Sequence, residues 1–318
     1  MAASSVGQHP RLTTSSGHEG AFMTLLLYTD TKIRQHATVP FFRGSGFDAE
    51  ATQALGKAYD LACLSLHPNG QPPVVQETLA KTIIEVAQRG ERDPDRLAAV
   101  ALAKLGPFHC EVSRRLGLIP NFFMSTPDAP EVVEKLWDFA RSAYIESPIP
   151  SLFKERLFVF VSRFCPVRYC IVRHCGFLVG YGHSAGDVSA APQTIEQALK
   201  LLTAPPPWRR QLKPVYAGLE AITAPVDWPV PESEMEDWIF AVSALIFVGP
   251  HTERAHKALR RALGGRRVEY LLALLAFIRA AHYWTVVHPG LEIEDDVREL
   301  MSTHKRLAYL LVQEPDLG

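Results

Sequence analysis

Three of the chain's five cysteines, Cys165, Cys170 and Cys175, fall within eleven residues, and His174 lies in the same stretch. Cys170 and His174 are four residues apart, so on a helix they project from one face. An imidazole beside a thiol can take its proton and leave a nucleophilic sulfur. A helix opening near Pro166 places Cys170 in its first turns, where the helix dipole, Arg168, Arg173 and a protonated His174 would all favour the thiolate. Glu155 stands inside a strongly apolar run, 151–164. A buried carboxylate needs a partner. A helix hairpin turning at Pro166, which disfavours helical backbone at Cys165, would bring Glu155 to the imidazole. These residue types therefore predict a carboxylate–imidazole–thiol relay. Cys165, across the proline break, is the candidate to resolve an oxidised Cys170. Cys175 sits about 140° round the helix from Cys170 and reads as core.

Glu155 followed by Cys170-x-x-x-His174 resembles the alkylhydroperoxidase D-like, carboxymuconolactone decarboxylase-like family, whose redox branch carries a Glu and then Cys-x-x-Cys-x-x-x-His. Glu155, Cys170 and His174 fall on that family's Glu, second Cys and His, while Val167 stands at its first Cys. The upstream Leu116-Gly-Leu-Ile-Pro-Asn-Phe122 is similar to the family's Leu-Gly-x-x-Pro-Asn segment, so the resemblance covers about 107–203, with a weaker second unit over 213–318. It implies an alkylhydroperoxidase D-like helical bundle and a thiol-dependent antioxidant or redox activity. In that activity Cys170 reduces a peroxide or disulfide, His174 and Glu155 handle the proton, and Cys165 replaces the missing cysteine. It also implies a homo-oligomer. Two other readings stay open. One is a non-enzymatic sensory or scaffold protein of the same fold, docking to a signalling or redox partner. The other is a carboxymuconolactone decarboxylase-like enzyme acting on a small acid lactone.

The same residues could be read as metal ligands: Cys165, Cys170, His174 and Cys175, joined by His183 or by His109 and Cys110. Their spacing lacks the tight knuckle of structural zinc, and no Cys-x-x-Cys-His is present for haem, so no metal or cofactor is expected. The basic stretch from His251 to Arg267 reads as a solvated face, and no nucleotide-binding or Gly-x-Ser-x-Gly motif occurs.

The elements that must position these groups are helical throughout. Residues 1–22 are polar and read as disordered, 23–42 hold one short element of either kind, and 1–46 form a poorly structured N-terminal segment. Apolar spacing predicts helices over 48–64, 73–89 (after an Asn69-Gly70 turn) and 97–105, a three-helix module over 47–106 with no catalytic constellation of its own. Helices over 130–144, 151–164, 166–179 and 194–202 build the unit 107–203. Helices over 234–248, 252–263, 266–287 and 295–312 build the unit 204–318. Residues 155–162 align on 236–243 at constant offset, and no cysteine occurs in the second copy, as in a degenerate repeat. No alternating run long enough for a sheet is found, so the fold class is all-α: two related helical units and an N-terminal three-helix module.

Composition narrows the function classes. With 33 basic against 34 acidic side chains the net charge is −1, which argues against a nucleic-acid coat or an anionic-membrane binder. The longest uninterrupted apolar stretches fall short of the roughly 20 residues of a membrane span. An odd cysteine count without scaffold spacing favours a reduced, cytoplasmic setting.

Overall fold

The structure is a computed structural model that describes residues 46–66, 71, 73–126, 128–249 and 252–315. The readings of residues 1–45, of the Asn69-Gly70 turn and of His251 lie outside the described residues. Among the described residues the fold is all-α, with fourteen α-helices and no strand.

Helices α1 (Ala49–Leu66), α2 (Pro73–Gln88) and α3 (Pro94–Leu105) pack on one another through Leu55, Tyr59, Leu79, Ile83, Leu97 and Ala101. Asp93 starts α3 by accepting from Arg96 N at 2.9 Å, with Pro94 following in the first turn where its missing N–H costs nothing. Helix α4 (Pro107–Leu116) was not expected as a helix, although Pro107 and the left-handed Gly117 (φ +81°) bracket it. Ser113 Oγ donates to Leu66 O at 2.9 Å and ties α4 to the end of α1.

Helix α5 (Pro130–Ala140) continues into a π-helical turn, Arg141–Ile145, where the expected helix 130–144 assumes regular geometry. Then come α6 (Ser151–Ser162) and α7 (Tyr169–Leu178), which form the expected hairpin with its break at residues 163–168. Helix α8 (Ile195–Thr203) begins in a capping box between Thr194 and Gln197. Helix α9 (Leu212–Glu220), which carries Pro214 in its first turn, was also not anticipated. Helices α10 (Glu234–Val248), α11 (Glu253–Leu263) and α12 (Gly265–Val287) follow the expected bounds closely. The single helix expected over 295–312 is two, α13 (Asp295–Thr303) and α14 (Lys305–Val312), broken at His304.

By length and composition α12 is the one described helix long and apolar enough to cross a membrane, although no uninterrupted apolar run in it reaches span length. It packs against α6, α7, α10, α11 and the π turn, and 44% of its apolar window is buried.

Helix α6 is buried along nearly its whole length, yet it carries Lys154, Glu155 and Arg156 in succession, each at most 3% exposed. Arg156 forms a two-pronged ion pair with Glu236 of α10 (Nε–Oε1 2.8 Å, Nη2–Oε2 2.7 Å) and donates to Gln193 Oε1 at 2.6 Å. Glu236 takes a further N–H from Glu232, held at φ +63°. Glu236 is the residue that the repeat alignment places on Glu155, and here it neutralises a structural arginine. Glu236→Ala leaves that guanidinium buried without its counter-ion and is expected to lower the unfolding free energy by about 3–5 kcal/mol in denaturant titration. Replacing both partners, Arg156→Met with Glu236→Leu, should recover most of the loss. A single variant as mild as a surface charge change would contradict this reading.

Candidate functional site

Glu155 is fully buried and accepts three hydrogen bonds. His174 Nδ1 donates to Oε1 at 2.7 Å, while the Tyr144 hydroxyl and Ala185 N (2.8 Å) donate to Oε2. Ala185 N also lies 3.1 Å from the Tyr144 oxygen. Each donor reaches this point through local irregularity. Tyr144 belongs to the π turn, and π turns redirect side chains from regular helical register. Ala185 has left-handed backbone, φ +47°, which costs a non-glycine residue of order 1 kcal/mol or more. The loop carrying it is fixed by His183 N donating to Leu116 O at 2.8 Å. Gly182, at φ +108°, allows that approach, because a Cβ there would lie 2.7 Å from Leu116 O.

The imidazole of His174 is held flat against Phe158, with ring centroids 3.4 Å apart at 14°, and edge-on against Phe177. With Nδ1 engaged by Glu155 and the ring plane clamped, Nε2 is the nitrogen left for chemistry. His174, Cys170, Tyr144, Tyr169 and Arg173 line a cavity of about 40 Å³ whose remaining walls are apolar, among them Phe122, Trp137 and Phe277.

The structure thus brings together Glu155, His174 and the cavity wall that holds Cys170. The expected activation of the thiol is corrected. Cys170 is 2% exposed, and burial pushes its thiol well above the ordinary value, with charge on nearby Cys165 and Glu294 adding to the rise and a hydrogen bond with Thr285 opposing it. The arginines expected to favour a thiolate are engaged elsewhere. Arg173 donates to both Asp296 oxygens (2.8 and 3.0 Å) and to Tyr181 O (2.5 Å). Arg168 donates to Leu311 O (2.8 Å) and Cys165 O (3.0 Å).

Cys165 is also buried, and burial pushes its thiol up to about 12. Cys175 is core, as expected; burial and then Glu155 hold it up at about 12. No disulfide joins Cys165, Cys170 and Cys175. Among the described residues no three His, Cys, Asp or Glu side chains are placed to share a metal ion, so Cys165, Cys170, His174 and Cys175 do not form a ligand set.

Neither a family model, nor a curated protein, nor a solved structure matches this chain. The chemistry of the site therefore rests on its own geometry.

Several participants escaped the sequence reading. Tyr144 was visible only as the end of an amphipathic helix, and nothing in its spacing announces a π turn. Phe158 lies three residues after Glu155, which puts it on the same face of α6. Tyr169 and Glu294 come together from segments 125 residues apart. His282 of α12 lies behind the cavity, buried, with Nε2 2.7 Å from Ser162 Oγ and Nδ1 without a hydrogen-bond partner.

Burial, reinforced by His174 and Arg168, drives the His282 imidazole down to about 3, whereas an unfolded histidine titrates near 6.5. The unfolded chain then binds the extra proton first as acid is added. The stability from keeping this ring neutral is complete above about pH 6.5 and is lost progressively as the pH falls toward 3, by at most about 5 kcal/mol. Unfolding free energies measured between pH 7 and 4 should fall accordingly, and His282→Asn should flatten the slope. An unchanged slope in that variant would refute the assignment.

Proposed function

We propose that the chain is a thiol-dependent oxidoreductase that reduces small hydroperoxides through Cys170. The observation that carries this reading is the Glu155–His174 hydrogen bond, 2.7 Å long, in the wall of the cavity that Cys170 also lines. Because burial keeps the thiol protonated, its proton leaves during the reaction and not beforehand. His174 Nε2 takes it, and Glu155, oriented by Tyr144 and Ala185, supports the imidazolium that forms. The Cys170 sulfur attacks the distal peroxide oxygen. The S–O bond forms, the O–O bond breaks, and the leaving alkoxide or hydroxide recovers the proton from His174. Cys165 then attacks the Cys170 sulfenic acid, expelling water and closing a disulfide, which an external dithiol reduces.

Cavity size sets the substrate class. One water needs roughly 10–15 Å³ by the same kind of measure. The cavity's 40 Å³ therefore suits hydrogen peroxide or a short alkyl hydroperoxide and is too small for a lipid chain.

A second reading draws on one observation: the thiol's polar partner is Thr285, and no hydrogen bond joins it to His174. Here Cys170 is only a wall residue, and His174 with Glu155 performs acid–base work on a small acid. Arg173, already held by Asp296, offers that acid no free cation.

Peroxide consumption separates the two. Cys170→Ser should abolish it and His174→Ala should reduce it by about 10²–10³-fold, the usual range for a lost proton carrier. Cys165→Ser should stop after one equivalent and leave a sulfenic acid that dimedone labels at Cys170. Consumption that persists in Cys170→Ser, or none in the unaltered protein, refutes the thiol reading.

A further inference from the structure

A second phenol–carboxylate pair, built like the first, puts its phenol, Tyr169, in the cavity wall. The Tyr169 hydroxyl donates to Glu294 Oε1 at 2.5 Å and accepts from Phe122 N at 3.0 Å. Glu294 Oε1 takes Asn121 N at 2.7 Å, as Glu155 takes Ala185 N. The two pairs differ in where they lead. Glu155 is sealed in the core, whereas Glu294 also lines a recess of about 410 Å³ whose wall includes the exposed Asp295 and Glu299. Its Oε2, 3.6 Å from Arg173 Nη1, receives no hydrogen bond.

We infer that Tyr169 and Glu294 carry protons between this recess and the Cys170 cavity. The inference rests on the thiol reading above. In that cycle the dithiol attacks as a thiolate, so one proton must enter from solvent when the disulfide opens and Cys170 is released as a thiolate. The other walls near Cys170 are mostly apolar, and Glu155 is sealed in the core, so the first pair meets solvent only through the partly exposed His174 imidazole.

Transfer is balanced in two linked moves. Glu294 takes up a proton from the recess and passes one from Oε1 to the Tyr169 oxygen as the Tyr169 hydroxyl turns its own proton into the cavity. Carboxylate, phenol and thiol are then left as they began. The Tyr169 phenol is held well above its ordinary value, by burial first and by Glu294 second, so it stays neutral and releases a proton only as one arrives. The field also works in the right direction. Negative charge on Glu294 raises the Cys170 thiol and so favours a proton delivered there. The other charges facing the pair are Arg173, Asp296 and Arg298.

The test divides the cycle in the full-length protein. Single-turnover oxidation of Cys170 by hydrogen peroxide is followed by dimedone trapping. Reduction of the oxidised protein by dithiothreitol is followed by thiol release, in H2O and in D2O. Tyr169→Phe keeps the ring and Glu294→Gln keeps the shape. Glu294→Gln, outside the cavity wall, should leave the peroxide step within about twofold, slow reduction tenfold or more and alter its solvent isotope effect, while Tyr169→Phe, in the wall, should slow reduction at least tenfold more than it slows the peroxide step. Equal slowing of both steps, as a packing defect would give, overturns the proposal, and so does reduction at the unaltered rate. If the unaltered protein shows no peroxide step, the thiol reading falls and the relay falls with it. A normal peroxide step with unaffected reduction in both variants removes the relay alone.

Discussion

Three adjacent charges on a helix with almost no exposed surface govern this architecture. Lys154, Glu155 and Arg156 point about 100° apart in turn, so no single neighbour can satisfy them. Each instead recruits a different part of the molecule. Lys154 Nζ donates to Ile145 O (3.1 Å) and Ser147 O (3.3 Å), fixing the end of the π turn. Burial depresses this ammonium to about 8, with Glu155 and Asp187 opposing the drop. Glu155 collects His174, Tyr144 and the 184–186 loop. Arg156 clamps Glu236 and so joins α6 to α10. An unpaired buried charge costs several kcal/mol, so these partners are effectively obligatory. The groups at the cavity are arranged by the needs of one helix.

Much of this was legible from residue types. Period-3.6 apolar spacing gave most helices to within a few residues, and Pro166 correctly marked the turn between α6 and α7. The oddity of Glu155 in an apolar run led directly to His174, because a buried acid demands a partner. The thiol's environment was not legible. Arg168, Arg173 and the helix dipole all look activating along the chain, but local sequence does not reveal that Asp296 and Leu311, more than a hundred residues later, occupy both guanidiniums. Long-range pairing also hid Tyr169–Glu294 and Ser162–His282. The π turn escaped because it changes hydrogen-bond register without changing composition.

Phe158 gives the site a rigid floor. Its ring lies flat under His174, and on its other neighbours it meets Tyr144, Phe277 and His282. An imidazole clamped this way keeps one nitrogen on Glu155 and cannot exchange its two nitrogens by ring rotation without displacing that floor. Orientation here comes from close packing of aromatic faces, with the carboxylate selecting the tautomer.

The π turn at Arg141–Ile145 sets where Tyr144 falls along the chain, because such a turn holds one residue more than an α-helical turn. Deleting one residue upstream of Tyr144 within it would restore regular winding and swing the phenol through about 100°, away from Glu155. The phenol's place at the carboxylate is thus a matter of chain count: a frame of backbone, not a choice of side chain, holds that oxygen where it is.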